Sequence, residues 1–105
     1  MEAKKIIITG GATRIGAAIA KSLAGYGKKI TLHYNRSEKE VKKLKSKLES
    51  SGCDVFLIKA DLSKANQTKK IISFSYNKMK GLDCLINNAS VFEKVSRFGK
   101  PIIDN

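Results

Sequence analysis

The sequence predicts an α/β protein: a doubly wound parallel sheet of strand order 3-2-1-4 with helices on both faces. Two observations predict it. Short apolar runs alternate with helix-period stretches, four strands in all, which implies parallel βαβ units with right-handed crossovers. The first run, Ile6 to Ile8, ends in Gly10 and Gly11, and a helical pattern follows at once. At 105 residues and 42% hydrophobic content the chain is one domain at most, with material enough for a core.

Each element has its own signal. The first helix is expected over Arg14 to Ala24, with Ile15, Ala18, Ile19, Ser22 and Leu23 at helical spacing and Gly25 and Gly27 ending it. Lys29 to Tyr34 is the second strand, with Asn35, Arg36 and Ser37 as its exit turn. Ser37 and Glu40 form a capping-box pattern for a second helix that carries Val41, Leu44 and Leu48 on one face and stops at Gly52. Asp54 to Lys59 is the third strand, running out into Ala60, Asp61 and Leu62. Ser63 is read as the cap of a third helix reaching Met79, with Ile71, Ile72 and Phe74 as core candidates, and Gly81 breaks it. Leu82 to Asn87 is the fourth strand, leading into Asn88, Ala89 and Ser90. Residues 91–105 show no clear periodicity, so the chain divides into a unit over 1–90 and an irregular tail.

Charge and cysteines narrow the function classes. The net charge is +12, but it is mostly lysine spread along the chain, with arginine at positions 14, 36 and 97 alone. A nucleic-acid reader gathers Arg and Lys on one face and interleaves aromatics, and neither pattern is visible, so no nucleic-acid partner is expected. No apolar run has membrane-spanning length and no signal-peptide pattern opens the chain, so no membrane partner and a cytoplasmic location are expected. Cys53 and Cys84 lack metal-ligand spacing and are read as buried thiols. In the expected strand order, strands 3 and 4 lie about 14 Å apart. A disulfide needs Cα atoms within about 7 Å, so the two should not pair.

The glycine turn suits a phosphate. A strand-to-helix turn gathers unpaired backbone N–H groups at the positive end of a helix dipole. Three further loops fall at the carboxyl ends of the strands, where open α/β sheets bind ligands. The four loops read Thr9-Gly-Gly-Ala-Thr-Arg-Ile-Gly16, His33-Tyr-Asn-Arg-Ser37, Asp61-Leu62 and Asn87-Asn-Ala-Ser90. In this order and spacing they resemble the short-chain dehydrogenase/reductase family, in its N-terminal, Rossmann-type half. A cofactor with a free ribose 2′-hydroxyl is usually held by an acid after the second strand. This chain has Arg36 there, backed by Ser37 at a helix start, which favours the extra phosphate of NADP(H).

Within that family the chain looks most like the pteridine reductases. They carry an arginine at the position of Arg14, a His-Tyr-x-Arg-Ser-like turn as at His33 to Ser37, and an Asn-Ala-Ser followed by Phe, as at Asn88, Ala89, Ser90 and Phe92. The resemblance implies cofactor contacts at Gly10, Arg14, Ile15, Gly16, His33, Tyr34, Asn35, Arg36, Ser37, Asp61, Leu62, Asn88, Ala89 and Ser90. Asp61 and Leu62 would edge the adenine, and Asn88 and Ala89 would line the nicotinamide-side ribose. Arg14, Ser90 and Phe92 would meet a pterin or another small carbonyl or imine substrate. For His33 a structural role is the stronger reading, since a single ring makes neither a metal site nor a triad.

The resemblance departs from the family at the catalytic acid. The family's hydride transfer needs a tyrosine and a lysine four residues on, well after the Asn-Asn-Ala motif. The sequence stops at Asn105, before either position, so no catalytic residue is assigned and the chain is read as a truncated, cofactor-binding half. Tyr76 and Lys80 have the spacing but precede the fourth strand, and are read as coincidence. The fourth strand would then be an exposed apolar edge open to a partner chain or to self-association. A non-catalytic nucleotide-binding or partner-binding module remains the alternative.

Overall fold

The computed structural model describes residues 4–89. Its elements alternate as β1 (Lys5–Thr9), α1 (Arg14–Leu23), β2 (Lys29–Tyr34), α2 (Glu38–Glu49), β3 (Asp54–Lys59), α3 (Gln67–Met79) and β4 (Cys84–Asn87). The strands form one parallel sheet in the order β3-β2-β1-β4, as the alternation predicts.

The parallel register stacks like side chains across the sheet. Ile6 pairs with Ile30 and with Cys84, and Ile8 with Leu32 and Ile86. Ile30 and Leu32 pair in turn with Val55 and Leu57. These rows face α1 and α2 and build the larger core with Ala20, Val41, Leu44 and Leu48. Ile7 and Ile58 face the other way and pack with Ile71 and Met79 of α3. Helices therefore cover both faces, as expected of near-continuous apolar strands. Val41, Leu44 and Leu48 are all buried. At about 1.5–3 kcal/mol per side chain, they anchor the otherwise lysine-rich α2.

Several boundaries differ from the sequence reading, each for a local reason. Helix α1 ends at Leu23, and Ala24 is its C-cap. Its buried face is Gly16 and Ala20, with Ala17, Ile19 and Leu23 half-buried, while Ile15 is 64% exposed and Ala18 and Ser22 face solvent. Small residues line this face because the start of α1 sits against the backbone of β1's exit. Helix α3 starts at Gln67 rather than at Ser63. The Ser63 hydroxyl and amide both donate to Asp61 Oδ1, at 2.7 and 2.9 Å, so Ser63 closes a turn instead of capping a helix. Ser37 stands at the N-cap of α2, but its side chain makes no cap hydrogen bond, so the capping box does not form. Strand β4 begins at Cys84, and the Asp83 carboxylate accepts from the Lys4 and Lys5 amides at 2.9 and 3.0 Å, tying β4's entry to β1's. Both cysteines are free thiols; Cys53 is buried, but Cys84 only half-buried, because β4 borders the sheet. No helix among the described residues is long and apolar enough to cross a membrane.

Candidate functional site

The carboxyl ends of the four strands meet at one edge of the sheet, and direct bonds tie the exits together. Gly10, in the left-handed region at φ 66°, turns the chain out of β1. Its carbonyl accepts from the Thr13 amide at 3.1 Å, the Thr13 hydroxyl at 2.8 Å and Asn88 Nδ2 at 3.1 Å. Thr13 is the N-cap of α1, and its Oγ1 accepts from the Gly16 amide at 2.9 Å and from Asn88 Nδ2 at 3.0 Å. Gly16 packs so close that an added Cβ would collide with the Gly10 carbonyl oxygen.

This arrangement settles where the turn's donors go. The Gly10 amide donates to His33 Nδ1 and the Gly11 amide to the His33 carbonyl, at 2.9 and 2.8 Å. The amides of Thr13, Gly16 and Ala17 are also satisfied internally. Those of Ala12, Arg14 and Ile15 have no hydrogen-bond partner among the described residues. Three open donors thus gather at the N-terminus of a ten-residue helix whose first turn carries no acid. Such a cluster, with the helix dipole behind it, is a seat for an anion.

The remaining predicted residues that the structure describes fall on the same edge. Arg14, Ile15, Asn35, Arg36 and Ser37 are exposed there, and Tyr34 is half-buried. Arg14 also borders a groove of about 300 Å³ between α1 and α2 that Thr13, Lys21 and Lys43 help to line. Near Arg36, Glu38 is drawn to Lys42 Nζ at 2.7 Å, and that hydrogen bond and charge hold its carboxyl below the usual range. Asp61 and Leu62 lie half-buried past β3. Leu62 packs on the α3-side core, while Asp61 holds Ser63. Asn88 and Ala89 leave β4 beside the turn, and the side-chain Nδ2 of Asn88 is engaged in holding Gly10 and Thr13. Ser90 and Phe92 lie outside the described residues.

Two residues that hold this edge escaped the sequence reading. Thr13 carries an N-cap signal, a threonine directly before the first helical residue, that was there to be read. Thr9 carries none: its hydroxyl donates to Asn87 Oδ1 at 3.0 Å and accepts from the Ala89 amide at 3.0 Å, partners 78 and 80 residues away. Tyr76 and Lys80 lie far from the crevice. Tyr76 is 58% exposed on α3, and the Lys80 carbonyl takes a 2.8 Å bond from Lys5 Nζ at the opposite, amino end of β1. No group of His, Cys, Asp and Glu able to hold a metal occurs among the described residues.

Known proteins share this sheet. The short chain dehydrogenase family model matches residues 4–102. The short-chain dehydrogenase/reductase homolog YusS of Bacillus subtilis (strain 168) is 34% identical over 88 residues, 84% of this chain and 81% of that protein. Other curated relatives are longer, and the chain spans 40% and 38% of two of them. A short chain dehydrogenase from Burkholderia cenocepacia J2315, solved in complex with NADP, superposes with a TM-score of 0.79 at 32% identity, over 85% of this chain and 36% of that one. An NADH-dependent reductase, A1-R', complexed with NAD gives 0.76 at 33% identity, over 87% of this chain and 38% of that one. With this fold and these matches, the chain belongs to the short-chain dehydrogenase/reductase family, of which some solved members hold NADP or NAD.

Proposed function

We propose that this chain is the NADP(H)-binding part of a short-chain reductase of the pteridine-reductase type. The observation that carries the reading is the trio of open amides at Ala12, Arg14 and Ile15, with Arg14 and Arg36 exposed on the same edge. The amides suit the pyrophosphate, and Arg36 with the unengaged Ser37 hydroxyl suits the 2′-phosphate. Structural neighbours hold both cofactors, so the residues after β2 decide between them. An acid that would pair with a free 2′-hydroxyl is absent from Asn35, Arg36 and Ser37. Asp61 and Leu62 then border the adenine, and Asn88 and Ala89 the far ribose. The pterin assignment rests on Arg14, on His33 to Ser37, and on Ser90 and Phe92 as substrate contacts. Both cysteines being free thiols suits a reducing, cytoplasmic setting.

Titration with NADPH, followed by its fluorescence at pH 7.5, tests this. An arginine bond to a charged phosphate is worth about 1.5–3 kcal/mol, so Arg36→Ala should weaken NADPH about tenfold or more and leave NADH unchanged. No binding at millimolar cofactor, or equal binding by the variant, contradicts the reading.

A second reading follows from Tyr76 and Lys80 lying at the wrong edge of the sheet. On it, the chain binds nucleotide without reducing anything and acts through a partner. Its support is β4, which borders the sheet and leaves Leu85 42% exposed. NADPH-dependent reduction of a dihydropterin by the chain alone would dismiss it.

A further inference from the structure

His33 is a buried titratable side chain, 3% exposed, on the α3-facing side of β2. We infer that it is a positioning residue for the phosphate-binding turn, whose neutral ring holds the Gly10 amide and whose protonation lets the turn go. This rests on the NADP(H) reading above, because it assigns the turn a ligand to hold.

The tautomer follows from the bonds. A backbone N–H can donate only to an unprotonated ring nitrogen, so Nδ1, which accepts from the Gly10 amide at 2.9 Å, is bare. The proton therefore sits on Nε2, which donates to the Ala60 carbonyl at 2.8 Å. The carbonyl of the same residue takes the Gly11 amide at 2.8 Å. One residue thus ends two successive amides of the turn and pins it to the exit of β3. Both ring nitrogens are occupied by backbone, so the ring serves the turn.

The effect reaches the open donors through the Gly10 peptides. Gly10's carbonyl is the acceptor that Thr13 and Asn88 share, and Thr13 sets the first turn of α1. Tilting Gly10 therefore re-aims the amides of Ala12, Arg14 and Ile15. An apolar residue at position 33 would leave the Gly10 N–H and the Ala60 carbonyl without their partner. Protonating Nδ1 would set one N–H against another.

Burial pushes the His33 pKa below its ordinary 6.5, and the Ala60 carbonyl pulls part of the way back. No charged side chain contributes to that shift. The face of α3 toward the sheet offers Ile71, Ser75 and Met79, while its Lys69, Lys70, Tyr76 and Lys78 are exposed. On β1 the neighbours are Thr9 and Gly10; on β3, Ile58 lies in register, with the exposed Lys59 and the Ser63-bonded Asp61 further along. On β2 itself, Tyr34 packs on the opposite face.

The test uses the full chain, NADP+ and calorimetric titration from pH 5 to 7.5, with two variants. His33→Phe keeps a ring and loses both nitrogens; His33→Asn keeps an acceptor for Gly10 and cannot titrate. At pH 7.5, His33→Phe should bind about tenfold more weakly, and His33→Asn within about threefold of the parent. The 2′-phosphate itself takes up a proton near pH 6, so the readout is the ratio of parent to His33→Asn affinity. That ratio should fall as the ring takes up its proton, by about tenfold in all, the loss that His33→Phe shows at pH 7.5. Equal binding by His33→Phe, or a ratio that stays flat through the pH at which the ring is seen to protonate, overturns the inference. A parallel NMR titration of the parent follows the ring nitrogens and the Gly10 amide without cofactor. If NADP+ fails to bind at all, the cofactor reading fails, while a Gly10 amide that shifts with ring protonation still supports the clamp. A Gly10 amide blind to it overturns the clamp.

Discussion

Replacing Gly16 by alanine probes the tightest contact of the site. The added Cβ would land on the Gly10 carbonyl oxygen, with the Gly10 carbonyl carbon at 2.9 Å and Asn88 Nδ2 at 3.0 Å. The first of these is backbone and cannot swing aside, so the start of α1 must lift off the turn. Overpacking of this kind costs about 1–3 kcal/mol. Lifting also breaks the cap bond from the Gly16 amide to Thr13, at about a further 1 kcal/mol. Alanine returns up to about 1 kcal/mol through its better helix propensity. The net expectation is a loss of about 1–3 kcal/mol, with NADP+ binding weakened more than tenfold because the donors no longer converge. Urea unfolding followed by far-UV circular dichroism measures the first, and calorimetry the second. Gly25→Ala is the control, since nothing lies within 4 Å of the Cβ it would add. Its stability should change by less than about 0.5 kcal/mol. A Gly16→Ala protein as stable and as tight-binding as the parent would refute the reasoning.

Thr13→Val removes the oxygen that receives the Gly16 amide and Asn88 Nδ2, and should cost about 1 kcal/mol in urea unfolding while weakening NADP+. His33 makes stability acid-sensitive: its folded pKa lies below the ordinary 6.5, so the unfolded chain takes up the proton first. Its contribution is whole above about pH 6.5 and falls by at most about 1.4 kcal/mol per pH unit from there to the folded value, a slope His33→Asn should lack in unfolding measured across pH 5–7.5. Asp83 acts lower: the Lys4 and Lys5 amides depress its pKa below the ordinary 3.8, so its contribution is present above that value and lost as the pH falls through the depressed one. Asp83→Asn should therefore flatten the parent's stability curve below pH 4, read by acid titration of the circular dichroism signal.

The fold was legible wherever local chemistry and tertiary packing agree. Lys29–Tyr34 and Asp54–Lys59 are strands between the residues expected, because apolar runs bounded by glycines and turns have one way to be buried. Val41, Leu44 and Leu48 repeat at helical spacing and are the residues α2 buries. Where two uses of one side chain compete, sequence alone misleads. Ser63 offers a hydroxyl that can cap a helix or close a turn on Asp61, and only the second occurs. Ile15 fits the apolar spacing of α1, yet with Gly16 packed onto Gly10 it is left exposed. The loops of the site were legible as motifs, but not what holds them. Thr9 reaches partners near residue 87, and the His33 ring spans from Gly10 to Ala60, and such bonds leave no periodic trace in the chain.

The central claim is that open amides at the start of α1 and a positive exit from β2 together seat a 2′-phosphorylated dinucleotide. A ¹⁵N–¹H NMR titration of the chain with NADP+ tests it residue by residue. The account predicts shifts at the Ala12, Arg14 and Ile15 amides and at Arg36 and Ser37, with Lys28, Gly52 and Lys80 at the opposite edge unmoved. Shifts confined to that opposite edge, or none at saturating NADP+, would contradict it.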